Sequence, residues 1–118
     1  MTNAEVNRII AESMGKEGFS PDRPQYNPHG GEVFATMRGE PKDFCGSLAD
    51  IAKAIEDDAR QNEHIHQWGV GWSDRRTGGR FDGFVAGYDH RSDTPAEALA
   101  HAYAQMLVAE KAKGGGNG

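Results

Sequence analysis

The stretch "HIHQWGVGWSDRRTGGRFDGFVAGYD", residues 64–89, decides the fold. In "HIHQWGVGWS" and again in "RFDGFVAGYD", aromatic and branched residues recur on period two, the spacing of β-strands. The intervening "TGG", Thr77 to Gly79, tolerates the positive φ angles that tight hairpin turns demand. A two-residue turn at Gly78 and Gly79 sets a register: Arg75 opposite Asp82, Trp72 opposite Val85, Gly69 opposite Tyr88. Trp68, Val70, Trp72, Phe81 and Val85 then share one face, while Phe84, Ala86 and Tyr88 share the other, near Gly69 and Gly71. Both faces are substantially apolar, so the sheet calls for cover on both sides. The glycines leave room that Tyr88 fills, or that a helix approaches.

Three segments can supply that cover. "TNAE" sets Thr2 three residues before Glu5, "SLAD" sets Ser47 before Asp50, and "TPAE" sets Thr94 before Glu97. In each, a hydroxyl can accept from a free backbone N–H while the carboxylate reaches back to another. Pro95 suits the first turn of the third helix, where its missing N–H would have had no partner. Apolar stripes follow each start: Val6, Ile9, Ile10 and Met14; then Leu48, Ile51, Ala52, Ile55 and Ala59; then Leu99, Tyr103, Met106 and Leu107. These stripes are read as core.

Between the first two helices, "GKEGFSPDRPQYNPHGG" reads as an irregular connection, because three prolines and four glycines interrupt it. "EVFATM", Glu32 to Met37, reads as a short strand. The predicted fold is α+β, a small antiparallel sheet with helices on both faces, in the order α-β-α-β-β-α. Residues 1–112 form a single domain and residues 113–118 a flexible glycine-rich tail.

With 118 residues, 36% hydrophobic and 26% charged, the chain suits one globular domain with a real core. No apolar run approaches the ~20 residues of a membrane helix. The N-terminal stretch lacks the apolar centre of a secretory signal. Cys45 is the only cysteine, so no internal disulfide forms and a cytoplasmic location is expected. A formal net charge of −5 argues against a general nucleic-acid binder, whose affinity comes from neutralising phosphates.

The opening "NRIIAESMG", the "WGVGW" and "FVAGYDH" strands and the closing "DTPAEALAHAYAQML" resemble small phage proteins with the ABA-sandwich domain. The resemblance covers both ends of the chain and the hairpin. It implies a sheet between helical layers and an origin in a phage or prophage genome. It carries no catalytic residues. It also implies action by binding, including inhibition of host defence.

Candidate chemistry is sparse. His64 and His66 share a strand face and could chelate a metal with His90 or Cys45. A zinc site needs three or four fixed ligands, so no metal is expected. Cys45 with a histidine could form a nucleophile pair, but a lone cysteine is more often a small core residue. Asp89, His90 and Asp93 could do acid–base work; the competing reading is a polar loop before the third helix. The acidic run at Glu56, Asp57 and Asp58 opposes the helix dipole and reads as a partner-facing patch or a solvated face. Arg75, Arg76 and Arg80 around the glycine turn could grip anions or a partner. "DRRTGGR" is not a phosphate-loop sequence, since it lacks GxxxxGK[ST] and no helix start follows.

The sequence therefore points to a noncatalytic phage or prophage interaction protein, an inhibitor of a host antiviral defence complex, without cofactor. Its contacts would be Arg75, Arg76, Arg80, Glu56, Asp57 and Asp58. The alternative is a small-ligand or nucleotide-binding module, potentially oligomeric, stacking its ligand on Trp68 and Trp72. A small His/Asp or Cys/His enzyme is the third reading.

Overall fold

The computed structural model describes residues 1–15, 19–27, 31–36, 38–72 and 80–114. The fold is α+β. Its elements are α1 (Asn3–Ser13), β1 (Phe19–Asn27), β2 (Gly31–Thr36), β3 (Pro41–Lys42), α2 (Leu48–Ala59), β4 (Trp68–Trp72), β5 (Phe81–Val85), β6 (Tyr88–Ser92) and α3 (Pro95–Gly114). The strands form two antiparallel sheets, ordered β1-β2-β3 and β4-β5-β6.

All three helix starts form as the sequence requires. Thr2, Ser47 and Thr94 each accept from the backbone N–H three residues on, at 3.2, 3.3 and 3.3 Å. The reciprocal halves are used differently. Asp50 accepts from the backbone N–H of Asp43 and pairs with Lys42, and Glu97 turns to Ser92 and Asn3.

The single expected strand at Glu32–Met37 is the centre of a three-stranded meander. β1, read as an irregular connection, pairs with β2 despite Pro21 and Pro24. Proline cannot donate to a ladder, and β1 lies at the sheet's edge, where that loss is tolerated.

The hairpin register also differs. Trp72 pairs with Phe81 and Trp68 with Val85, four residues from the expected alignment. Asp82 accordingly lies between Gly71 of β4 and Arg91 of β6, and pairs with Arg91 at 2.7 Å. The expected Gly78–Gly79 turn lies outside the described residues, as do Arg75 and Arg76. "RFDGFVAGYD" is not one strand but two, folded at Ala86 and Gly87. Their φ angles of +51° and +91° suit the tight turns that match strand twist. Tyr88 therefore sits opposite Val85, and Phe84 fills the space over Gly69.

Among the described residues α3 covers one face of the second sheet and no helix covers the other; α1 joins α3 to the first sheet, and α2 packs on α3. α1 packs on β1 and β2 and on α3, and α3 packs on all three strands of the second sheet. α3 is buried nearly all round: Ala98, Leu99, Ala100, Ala102, Tyr103, Ala104 and Met106 are at most 1% exposed. Such a helix cannot be amphipathic; small alanines let neighbours approach from every side. β5 comes closest. A Cβ on Gly83 would lie 2.4 Å from the Ala98 carbonyl.

Asn7 fastens α1 to the first sheet and the turn before α2. Its amide donates to the Glu32 carbonyl at 2.8 Å and to Asp43 Oδ1 at 3.2 Å. Its oxygen accepts from the N–H groups of Phe44 and Cys45 at 3.0 and 3.2 Å. Fully buried, it has every hydrogen-bonding capacity of its amide filled. Among the described residues no helix is long and apolar enough to cross a membrane.

Candidate functional site

Two regions of the second sheet gather polar chemistry, one on each face. Strand alternation puts His90 and Ser92 on the face toward α3, and Asp82, Phe84, Asp89 and Arg91 on the face away from it.

The inner cluster joins three elements. Glu97 and His101 are four apart on α3, so they share a helix face. Glu97 accepts from the Ser92 hydroxyl and, at 3.1 Å, from the Asn3 side-chain amide. His101 Nε2 lies 2.8 Å from Asn3 Oδ1. With the Asn3 nitrogen committed to a carboxylate, its oxygen must accept, so Nε2 carries the proton. The His90 and His101 rings stack with centroids 4.4 Å apart. Each member is held by a neighbour, and Ser92 and His101 are buried. The cluster is a joint between α1, β6 and α3. Asn3, Ser92 and His101 were not singled out in the sequence, and Glu97 was read only as the carboxylate of the third helix start, although its i, i+4 spacing to His101 was visible there.

Burial pushes both imidazoles below the ordinary histidine range. For His101 the neighbouring ring adds to the effect, while Glu97 opposes it at both. The hydrogen bond from Ser92 is the main reason Glu97 stays ionised below the usual carboxylate range. The signs agree. As pH falls below about 6.5, the unfolded chain takes up histidine protons that the folded chain resists. At lower pH, Glu97 adds its own loss as protons reach it. Stability is therefore fully present near neutrality and declines in acid. The expected result is a thermal midpoint that drops between about pH 7.5 and 5.5. His101→Gln, which keeps a donor for Asn3, should flatten that segment; a wild-type profile already flat there contradicts the assignment.

Among the described residues no element covers the outer face. Phe84 is 39% exposed and lies against Gly69, whose added Cβ would sit 3.0 Å from the ring. Beside it, Asp82, Asp89 and Arg91, with the strand at His90 between the last two, complete the lining of a shallow depression of about 470 Å³. Arg80, just before β5, is exposed. The face combines an aromatic, two carboxylates and an arginine, a mixture suited to a protein surface.

The other candidates are placed as follows. Trp68 packs against the core, whereas Trp72 is 70% exposed, so the two do not form a stacking pair in the open. His64 and His66 precede β4 in a turn rather than sharing a strand face, with Ile65 buried between them. No group of three histidine, cysteine or acidic side chains suited to a metal occurs among the described residues. Cys45 is buried, its thiol pushed far up by burial and directed at the Asn3 carbonyl, 3.7 Å away. Asp93 is exposed beside the α3 start. Of the acidic run, Glu56 pairs with Arg60 and Asp57 with Lys53. Asp58 turns inward to accept from the Tyr103 hydroxyl and the Asn62 amide, tying α2 to α3.

Comparisons with protein-family models, curated proteins and solved structures give no match.

Proposed function

We propose that this chain is a noncatalytic interaction protein that acts by covering a surface of a partner protein through the outer face of its second sheet. The observation that carries the reading is Phe84, an aromatic on an uncovered sheet face, ringed by Asp82, Asp89 and Arg91. An exposed aromatic anchor with a polar rim is the usual composition of a binding hot spot. The resemblance of the "WGVGW" and "FVAGYDH" strands and the closing helix to small phage proteins supports a component of a host antiviral defence complex as that partner. Arg80 would extend the contact with charge, and Arg75 and Arg76, close to it in sequence but outside the described residues, are proposed for the same contact.

The test is capture from a bacterial host lysate with tagged wild-type protein, repeated with Phe84→Lys and with Arg75, Arg76 and Arg80 reversed to glutamate. A partner retained by wild type and lost with Phe84→Lys supports the reading, provided the variant melts within a few degrees of wild type. Loss with the arginine variant as well assigns the tip to the same contact. Equal capture by Phe84→Lys removes the outer face. Expression of the protein in a defence-proficient host should raise phage plating efficiency; no change removes the defence role.

A further inference from the structure

We propose that β4 is a self-pairing edge, through which two copies of this chain join their second sheets into one six-stranded sheet about a two-fold axis at Val70. Among the described residues β4 pairs with β5 alone, so its other side is an edge. Edge strands are commonly protected by charge or proline. "WGVGW", Trp68 to Trp72, contains neither.

The hydrogen-bonding pattern fixes which groups face that edge. The Ala86 N–H donates to the Gln67 carbonyl at 2.8 Å, so Gln67 and Ala86 form a hydrogen-bonded pair. Antiparallel pairs alternate. Gly69 and Gly71 therefore direct their backbone groups to β5. Trp68, Val70 and Trp72 direct theirs outward.

The sequence of the strand reads the same in both directions. Antiparallel pairing about Val70 sets Val70 opposite the second copy's Val70. Trp68 comes opposite its Trp72, and Gly69 opposite its Gly71. Every outward N–H and carbonyl of the three residues then finds a partner, and the side chains match in size across the axis. Such an isologous contact closes at two copies. It also accounts for Trp72, which the single chain leaves 70% exposed. On the α3-facing side, it would lie beside the second copy's Trp68, which is packed on its own core. α3 lies mainly over β5 and β6 and only lightly over β4, leaving that side of the edge accessible.

The contact is short and falls below the ~1,000 Å² of a standard interface, so association is weak and shows at high concentration. This inference does not depend on the partner proposed above, which uses the opposite face of β5 and β6.

Sedimentation of the purified chain across a wide concentration series tests it. The expected result is a concentration-dependent rise from the 12.8 kDa chain mass toward twice that value and no further. Trp72→Lys, at a position too exposed to disturb folding, should weaken association at least ten-fold. Val70→Lys and Val70→Glu should each be monomeric, and an equimolar mixture should dimerise, because residue 70 meets its own copy. A wild-type chain that stays monomeric overturns the proposal. So does assembly beyond two copies, or Trp72→Lys that associates like wild type.

Discussion

Gly83→Ala is expected to destabilise the protein by about 3 kcal/mol or more, lowering the thermal midpoint by about 10 °C. The added Cβ would lie 2.4 Å from the Ala98 carbonyl carbon and oxygen and 2.5 Å from the Leu99 nitrogen. Those atoms are helix backbone and cannot rotate aside. Either β5 must lift from α3 or the helix must shift, and α3 is the element on which the whole interior converges. Gly71→Ala is the matched control. Its Cβ meets nothing within 4 Å, on the same sheet, and the change should move the midpoint little. Thermal melts of the two variants check the contrast. Equal and small effects at both positions would mean that β5 and α3 are not in close backbone contact.

Asn7→Leu should cost about 3–5 kcal/mol, although leucine is apolar, of similar size and enters a fully buried site. The loss comes from what remains. The N–H groups of Phe44 and Cys45 and the Glu32 carbonyl would lose their shared partner inside the protein. Asn7→Ala should cost a similar amount, with a larger void and a better chance of admitting water. A denaturant midpoint unchanged in Asn7→Leu would show that those backbone groups find other partners.

The helices were legible because their signals are local. A hydroxyl three residues before a carboxylate predicts a start wherever the chain lies, and Thr2, Ser47 and Thr94 each cap as read. The faces of β4 and β5 were legible too, but their register was not, and the unread turn moved Tyr88 from the face of Phe84 to that of Val85. The observed alignment differs from the expected one by four residues, an even number. Period-two patterning cannot detect an even slip, because every side chain keeps its face. What fixes the register lies elsewhere: the turn at Ala86–Gly87 aligns β6, and Gly83 must meet Ala98. The turn went unread because alanine at positive φ is unusual. β1 was hidden by its prolines, which argue against a central strand but not against an edge.

The candidate site was less legible than the fold. Phe84 was read only as half of an apolar face, since the sequence does not say which face a helix covers. α3 covers one and leaves the other, and only that choice makes Phe84 a surface anchor. The acidic run was visible as charge, but Asp58 is drawn inward by Tyr103, forty-five residues away. The joint of Asn3, Ser92, Glu97 and His101 spans both ends of the chain, a distance at which spacing carries no signal.

The proposed function places the partner on the face around Phe84. The most direct measurement is the dissociation constant of the purified captured partner for wild-type protein and for Phe84→Lys, at matched folding stability. The predicted result is at least a ten-fold weakening in the variant. Equal affinities would move the contact away from the outer face of the second sheet.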